Sequence, residues 1–317
     1  MKTVGLRVAI MTDAVGWHTR QLQAALRKRG ALGRCVDLAD CRIDTGSAWH
    51  GLVIPGFGRE LPDAVLVRGI AGGSFEQVTL RLGVLHALRE LGVPVYNDAR
   101  AIERSVDKSM TSLLLHLAGI NTPPAWALES AAQAQRIVMR ESAAGHALVL
   151  KPLFGSQGKG LQRVGAVDGR HRPLPPLDAP YGAMAYLQRF IPPATDPGFD
   201  WRVLVVGGRA CTAMRRVSES WVHNVAQGAR CEPAPLDAEL ARIAEAAANT
   251  LELDYAGVDI LPCAATGSLQ VIEINGVAAW QGLQRVTGFN IAGALVADLL
   301  DRKLSAAGAL PGTARRA

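Results

Sequence analysis

The stretch LVLKPLFGSQGKGLQRV, residues 148–164, is an apolar run that breaks into a glycine-rich loop and then resumes. It holds three glycines and two lysines. Glycine lets the main chain approach a ligand closely, and successive N–H groups can surround a phosphate. Both flanks, ALVLK and GLQRV, are typical of strands. The pattern therefore predicts a hairpin loop, which is either a flap that closes over phosphate or an ordinary flexible turn.

The spacing of this loop excludes two familiar nucleotide motifs. A Walker A loop has the pattern G-x-x-x-x-G-K-[ST] and leads into a helix. Here Gly158-Lys159 is followed by Gly160, and the residue five places before Gly158 is Leu153. A dinucleotide fingerprint, G-x-G-x-x-G, would require a third glycine where Arg163 stands. The rest of the chain must therefore decide what the loop does.

Composition places the chain among ordinary globular proteins. Its 317 residues are 49% hydrophobic and 20% charged, with a net charge of +6, and this length allows two or three domains. The positive charge either serves solubility or attracts anionic substrates into a cleft. No basic stripe with interleaved aromatic residues is present, so we expect no nucleic-acid partner.

Cysteine usage and hydropathy indicate a compartment. The five cysteines are odd in number and form no C-x-x-C pair, which argues against a disulfide framework or a zinc site and favours a reducing cytoplasm. The apolar run at the start is too short for a signal peptide, and no later run approaches the length of a membrane span. We therefore expect a cytoplasmic protein without a membrane partner.

The order of predicted elements divides the chain into units. Strands alternate with helices over residues 1–98, which predicts a parallel sheet with crossover helices. Residues 99–180 combine helices with a small antiparallel sheet that carries the glycine loop, and residues 181–304 form a second strand-rich unit. The final residues, 305–317, look like a disordered tail. The predicted class is α/β at the start and α+β in the C-terminal units.

An acidic constellation interrupts two apolar strands near the C-terminus. Asp259 lies within AGVDIL, and Glu273 and Asn275 lie two residues apart in VIEING. The alternation of side chains along a strand puts Glu273 and Asn275 on one face, and Asp259 can join them if the strands pair. Two carboxylates and an amide oxygen suit Mg²⁺ that bridges phosphates. The alternative is a set of solvated residues on an exposed strand face, although a buried unpaired charge would be costly.

Five segments in register resemble one family, the ATP-grasp ligases, and within it the RimK-type branch of glutamate ligases. These segments are VPVYNDARAIERSVDKSMT, LVLKPLFGSQGKG, DWRVLVVGG, AGVDIL and EINGVAAWQGLQRVTGFNIAGALV. The branch includes ligases that act on a ribosomal protein, on a lysine-biosynthesis carrier and on methanopterin-type cofactors. The resemblance covers nearly the whole chain. It implies an ATP-grasp fold with a pre-ATP-grasp domain at 1–98, a lid subdomain at 99–180 and a metal-binding subdomain at 181–304.

The resemblance also implies nucleotide and metal contacts. Lys108 and Lys151 would contact phosphates, Asp200 would accept from the ribose hydroxyls, and Asn224 would touch the nucleotide. Asp259, Glu273 and Asn275 would hold Mg²⁺ or Mn²⁺, as two ions. The closing flap would consist of Gly155, Ser156, Gln157, Gly158 and Gly160. The hinge whose main chain holds adenine would consist of Gln188, Arg189 and Phe190.

The implied chemistry forms an acyl phosphate, which an amine then displaces. Arg202 and Arg216 are the candidates that stabilise developing negative charge. Arg68 is either a ligand of a substrate carboxylate or a surface residue, and Trp280 is either a wall of the acceptor site or a packing residue. His223 is either a base or a structural residue.

Two positions depart from the family pattern. Relatives often carry glutamate where Arg189 stands, and a basic residue where Val222 stands. These departures question a side-chain role at Arg189 and a cationic contact at Val222.

The predicted function is an ATP- and Mg²⁺-dependent ligase that adds L-glutamate to an acceptor carboxylate and works as a homo-oligomer. Guanidinium groups bind carboxylates bidentately, and the segments expected near the cleft carry Arg68, Arg202, Arg215, Arg216 and Arg285. Arg215 and Arg285 could instead make surface ion pairs. The alternatives are a ligase for another amino acid or amine, and a non-catalytic nucleotide-binding regulator that retains the fold.

Overall fold

The first unit is a four-stranded parallel sheet with a helix on each face. The computed structural model describes residues 5–46, 49–155, 157–178 and 180–308. The strand order is β2-β1-β5-β6, and the strands are β1 (Arg7–Met11), β2 (Leu32–Val36), β5 (Ala64–Val67) and β6 (Val95–Tyr96). The helices are α1 (Trp17–Lys28) and α2 (Phe75–Glu90), and a short ribbon pairs β3 (Arg42–Ile43) with β4 (Leu52–Val53).

The alternation along β1 explains this layering. Val8 and Ile10 pack with α1 in one core, whereas Ala9 and Met11 pack with α2 in a second core. A strand that is buried on both faces needs the near-continuous apolar sequence that β1 has. The predicted parallel sheet is confirmed.

The second unit is an antiparallel sheet, here called the lid sheet. Its order is β10-β9-β8-β11-β7. The strands are β7 (Ala125–Leu128), β8 (Ala147–Lys151), β9 (Gln162–Val167), β10 (Arg170–Arg172) and β11 (Ala185–Arg189). Helices α3 (Ala99–Val106) and α4 (Lys108–Leu117) precede the lid sheet, and α5 (Ala131–Ala143) packs on its outer face. The glycine loop joins β8 to β9.

The boundary at residue 180 differs from the expected one. The sequence pattern assigned the strand of residues 185–189 to the third unit, but β11 is hydrogen-bonded between β8 and β7. Leu187 joins the core that α5 forms with Leu148 and Leu150. Burial of this side chain against α5 places the strand in the lid sheet.

The third unit is a second antiparallel sheet, here called the C-terminal sheet, of order β14-β13-β12-β15-β16. The strands are β12 (Gly198–Val206), β13 (Arg209–Ser218), β14 (Arg230–Ala234), β15 (Tyr255–Pro262) and β16 (Leu269–Asn275). Helix α6 (Ala238–Thr250) covers one face. Gly207 and Gly208 turn the β12–β13 hairpin, with φ values of 58° and 77° that glycine adopts readily.

The last helices return the chain to the first unit. They are α7 (Gln281–Val286) and α8 (Ile291–Ala297), which continues through a π-helical segment (Asp298–Lys303) into α9 (Leu304–Gly308). Leu295 and Leu299 pack in the core that contains α1. The predicted tail was to begin at residue 305, yet the helix runs to Gly308, and residues 309–317 lie outside the described part. Among the described residues, no helix combines the length and apolar composition that crossing a bilayer requires.

Candidate active site

A cleft between the lid sheet and the C-terminal sheet gathers most of the predicted site residues. Lys108 and Lys151 line it from one side, and Asp200, Asp259 and Glu273 line it from the other. The hinge and the segment after β13 also contribute, through Gln188, Arg189, Phe190, Trp221, Val222, His223 and Asn224. Residues more than 150 positions apart therefore share one cleft.

Lys151 ends β8 and points into the cleft. Its Nζ donates a hydrogen bond of 2.6 Å to Gln188 Oε1 on the neighbouring strand β11. Burial is the main reason that the pKa of Lys151 falls to about 8, and Lys108 lowers it further while Glu273 opposes the shift. A desolvated ammonium with one neutral partner is well placed to bind an anion.

Lys108 links the acidic strands to the glycine loop. It opens α4, and its Nζ donates to the carbonyl oxygens of Leu153 and Gly155, at 3.3 and 2.8 Å. Glu273 Oε1 lies 4.0 Å from the same nitrogen. Burial lowers the pKa of Lys108, and the Glu273 carboxylate opposes that shift. The side chain thus holds the start of the loop over the cleft.

The glycine loop rests against the segment that follows β13 through its described residues Gln157 and Gly158. Gln227 Nε2 donates to the carbonyl oxygen of Gln157 at 3.1 Å. At Gly158, where φ is +71°, an added Cβ would lie 2.8 Å from Asn224 Oδ1 and 2.9 Å from Val222 Cγ1. Glycine is therefore required there for both backbone and space. Ser156, predicted in the same flap, lies outside the described residues.

The acidic constellation forms one patch on adjacent strands. Asp259 and Glu273 are direct partners in the β15–β16 ladder, and Asn275 pairs with Gly257 two places along, so the three side chains share a face. Asn275 Nδ2 donates to the carbonyl oxygen of Gly257 at 3.4 Å. An all-oxygen set beside two lysines fits a hard cation such as Mg²⁺. In the described part of the chain, no three His, Cys, Asp or Glu side chains are grouped so that they could hold a metal ion.

Two arginines bind the carboxylates at the cleft floor. Arg202 donates hydrogen bonds from Nε and Nη2 to the two carboxylate oxygens of Asp259, and the distance from Nη2 to Oδ2 is 2.7 Å. Arg216 donates to both oxygens of Asp200, at 2.7 and 2.5 Å, and its Nη2 lies 2.9 Å from Asp259 Oδ2. The four charges balance within one buried network. The structure therefore brings both predicted catalytic arginines to the predicted metal ligands.

This network moves the pKa values of its two carboxyl groups in opposite directions. Burial alone would raise the pKa of Asp259, but the guanidiniums of Arg202 and Arg216 outweigh burial and lower it. At Asp200 burial outweighs Arg216 and raises the pKa to about 6. Asp259, which is 1% exposed, is thus the firmly ionised member of the pair.

The hinge presents main chain to the cleft, whereas the Arg189 side chain faces the other way. Arg189 Nε and Nη2 donate to Glu141 Oε2 on α5, at 3.2 and 2.6 Å. Leu187, two residues earlier, also packs toward α5, as the alternation of a strand requires. The arginine that replaces the family's usual glutamate at this position therefore makes an ion pair with α5 on the face of the lid sheet away from the cleft. Next to it, the rings of Phe190 and Trp221 pack edge to face, with their centroids 5.8 Å apart.

Arg68, Trp280 and Arg215 lie away from the cleft lining. Arg68 follows β5, and its Nη1 donates to the carbonyl oxygen of Val277 at 3.3 Å. Trp280 is 1% exposed and its ring centroid lies 4.8 Å from those of Trp17 and His18, so the structure places it in a core and not on an acceptor surface. Arg215 pairs with Glu232 at 3.1 Å, which agrees with the surface ion pair that the sequence left open.

Sequence reasoning missed the apolar walls of the cleft. Val149 and Leu261 line it, and each lies two residues from a predicted ligand, Lys151 and Asp259 respectively. The period of a strand puts such neighbours on the same face. That signal was available, but only after the polar ligands had been assigned to strands.

Comparisons with known proteins agree with this geometry. The family model of the RimK-like ATP-grasp domain matches residues 105–299, and that of the RimK pre-ATP-grasp domain matches residues 6–102. The chain is 31% identical to the tetrahydromethanopterin:alpha-L-glutamate ligase of Methanosarcina acetivorans, over 92% of this chain and 96% of that protein. It is also 31% identical to the ribosomal protein bS6–L-glutamate ligase of Shigella flexneri, over 92% and 94% of the two chains.

A solved structure supports the fold separately. The ATP-grasp ligase PsnB, complexed with a phosphomimetic variant of its minimal precursor, Mg and ADP, superposes with a TM-score of 0.69 at 22% identity, over 94% of this chain and 99% of that one. The match covers the parallel sheet and both antiparallel sheets, and it confirms the predicted architecture.

Proposed function

The chain belongs to the RimK-like ATP-grasp family of ligases, and from this premise we propose that it uses ATP and Mg²⁺ to join L-glutamate to an acceptor carboxylate. The observation that carries the proposal is the meeting of two lysines, a glycine flap and the acidic patch in one cleft. Cations on one wall and metal-binding oxygens on the other suit a polyphosphate between them.

The adenine base would lie along the hinge main chain. Val149 and Leu261 offer it apolar walls, and the hinge leads directly to Lys151 through the Gln188 contact. Lys108 and Lys151 would then bind phosphate oxygens. Lys108 would exchange its flap carbonyls for phosphate, because an anion is the stronger partner for an ammonium.

Asp259, Glu273 and Asn275 would hold Mg²⁺, which when bound neutralises phosphate charge. The contacts of Arg202 and Arg216 with Asp259 keep that carboxyl group ionised, and a bound cation would share the Asp259 oxygens with these two guanidiniums. The guanidiniums themselves stand beside the same patch, where they would stabilise charge on the transferred group.

The reaction would proceed in two displacements. An acceptor carboxylate oxygen attacks the γ-phosphorus of ATP, a new O–P bond forms, and the bond to the β-phosphate oxygen breaks to release ADP. The amine of glutamate then attacks the acyl carbon, and phosphate leaves as the amide forms and the nitrogen loses a proton. Both steps place negative charge on oxygen, which explains the need for cations on both walls.

Glutamate is proposed as the nucleophile because two relatives are named L-glutamate ligases. Those relatives act on unlike acceptors, a tetrahydromethanopterin and a ribosomal protein, so the acceptor of this chain is proposed only as a carboxylate. A homo-oligomeric state remains a prediction.

The test of the proposal is the fate of ATP. Phosphorus NMR of a working reaction should show ADP and phosphate, and hydroxylamine should trap the activated carboxylate as a hydroxamate. AMP and pyrophosphate as stoichiometric products would refute the acyl-phosphate route. In a second test, each amino acid is offered in turn with ATP and an acceptor. Mass spectrometry should then detect a product when glutamate is offered, heavier than the acceptor by the glutamate increment. Efficient use of an amine without a carboxylate, and none of glutamate, would refute the choice of nucleophile while leaving the ligase intact.

A further inference from the structure

One buried polar side chain in the cleft has no role in the chemistry above. His223 lines the cleft and is 6% exposed. Its Nε2 is buried and makes no hydrogen bond within the described part of the chain. A buried polar atom without a partner destabilises the free protein, so such an atom in a binding cleft points to a ligand that satisfies it.

The two ring nitrogens of His223 have different surroundings. Nδ1 lies 3.9 Å from Asp200 Oδ2. Nε2 lies beside the chain that follows the hinge, because a Cβ on Gly198 would be 3.0 Å from Nε2 and 2.9 Å from Pro193 Cβ. The carboxylate on the Nδ1 side favours the tautomer with a proton on Nδ1, which leaves a lone pair on Nε2.

The place of His223 in the cleft corresponds to the sugar of a nucleotide. This step rests on the proposed function, with the base at the hinge and the phosphates at Lys108 and Lys151. The sugar must then lie between them, where His223, Asp200 and Pro193 line the cleft. Both oxygens of Asp200, the predicted ribose acceptor, already accept hydrogen bonds from Arg216.

Protein atoms cover Nε2 in this structure, so a ligand reaches it only if the adjacent chain at Pro193 shifts. We propose that this shift accompanies nucleotide binding and that His223 then recognises the ribose of ATP, with Nε2 accepting a hydrogen bond from one of the two ribose hydroxyl groups. The bond would satisfy the orphaned nitrogen and make the enzyme discriminate against nucleotides that lack that hydroxyl. Burial, and next the Arg216 guanidinium, lower the pKa of His223 to about 4, so the ring is neutral and able to accept near neutral pH.

The experiment is calorimetry of the full chain with Mg²⁺ and three ligands, namely ADP, 2′-deoxy-ADP and 3′-deoxy-ADP. The wild type should bind one deoxy analogue about three- to tenfold more weakly than ADP, the ratio that one hydrogen bond confers. His223→Phe keeps a ring but loses the acceptor. It should bind ADP more weakly by a similar factor and should no longer discriminate against that analogue. His223→Gln, which retains an acceptor at similar reach, should restore part of the discrimination.

Two outcomes would overturn the assignment. In one, His223→Phe discriminates between ADP and the deoxy analogues as the wild type does. In the other, the wild type itself binds all three ligands equally. A thermal melt of each variant shows whether it is folded, and the Gln variant supplies the comparison if the Phe variant is not. Failure of the wild type to bind any of the three would instead refute the nucleotide site, and the ribose contact with it.

Discussion

At the scale of single residues, the cleft is a balance of buried charges. Arg202 and Arg216 neutralise Asp259 and Asp200, whereas Glu273 makes a looser pair with Lys108, at 4.0 Å, and interacts electrostatically with Lys151. A buried ion pair adds little stability over an apolar pair, but removal of one partner is costly. Glu273 is therefore the acidic residue that can be removed with the least damage to the fold.

Replacement of Glu273 by alanine should abolish most activity and leave the fold intact. The change removes a proposed metal ligand, and charge stabilisation by a metal is worth roughly several kcal/mol, so turnover should fall about a hundredfold or more. The measurement is product formation at saturating ATP and Mg²⁺, with thermal unfolding alongside. Glu129→Ala, at an exposed position on the lid, is the control. Near-normal turnover in Glu273→Ala would contradict the metal assignment.

Replacement of Arg189 by alanine should separate stability from nucleotide binding. Loss of its two hydrogen bonds to the buried Glu141 should lower the free energy of unfolding by about 1–3 kcal/mol. The affinity for ADP should change less than about threefold, which is under 0.7 kcal/mol, because the side chain faces α5.

Arg140→Ala is the matched control for Arg189→Ala. Arg140 binds the same carboxylate from an exposed position and should cost less stability. Urea unfolding and calorimetry with ADP provide the two readouts. A large loss of ADP affinity in Arg189→Ala, without loss of stability, would show that the side chain serves the nucleotide.

At the scale of elements, the glycine flap is held from two sides. Lys108 on α4 binds the carbonyl oxygens of Leu153 and Gly155, and Gln227 binds that of Gln157. The first contact comes from the helix that also approaches Glu273. If the flap moves, it must therefore break or keep its hydrogen bonds with the Lys108 ammonium, which is the group proposed to bind a phosphate.

Substitution at Gly158 should weaken nucleotide binding more than backbone strain alone explains. Gly158→Ala places a Cβ at a φ of +71° and within 2.9 Å of Val222 and Asn224. Gly169→Ala imposes the same strain, at a φ of +75°, with nothing within 4 Å. Both should lose about 1 kcal/mol of stability, but only Gly158→Ala should reduce ADP affinity and turnover by several fold. Equal binding by the two variants would mean that the flap does not close on the nucleotide.

At the scale of the whole molecule, the C-terminal helices tie the last unit to the first. The core around α1 includes Leu295 and Leu299. Within it, His18 Nε2 accepts hydrogen bonds from the backbone N–H groups of Trp280 and Gln281, at 3.1 and 3.2 Å. Burial, and next Arg68, lower the pKa of His18 to about 4. A neutral imidazole therefore joins the parallel-sheet unit to the start of α7.

This junction predicts a pH dependence of stability. Between about pH 6.5 and pH 4, His18 takes up a proton in the unfolded chain but not in the folded one, so the free energy of unfolding should decrease as pH falls through that window. His18→Gln keeps an acceptor without titrating, and its stability should depend less on pH there. Urea unfolding at several pH values measures the difference. His116→Gln, at an exposed position, should behave like the wild type, and equal pH slopes in all three proteins would contradict the role of His18.

Features that depend on neighbours along the chain could be predicted from the amino-acid sequence. The order of strands and helices in the first unit, the glycines between β8 and β9, and the shared face of Glu273 and Asn275 all follow from local sequence patterns. These patterns sufficed for the parallel sheet, the flap and the acidic patch, because the period of a strand decides which side chains share a face.

Which of those faces meet depends on how the elements pack in three dimensions. The sequence left open whether the Arg189 side chain serves the nucleotide and whether Trp280 lines the acceptor site or packs in a core. In the structure the Arg189 side chain binds Glu141 on α5 and Trp280 lies in a core. The contacts of Lys108 with the flap and of Arg202 with Asp259 join residues 45 to 57 positions apart. Whether a side chain faces a ligand or a neighbouring helix depends on which element packs against its strand, and that packing is a property of the assembled chain.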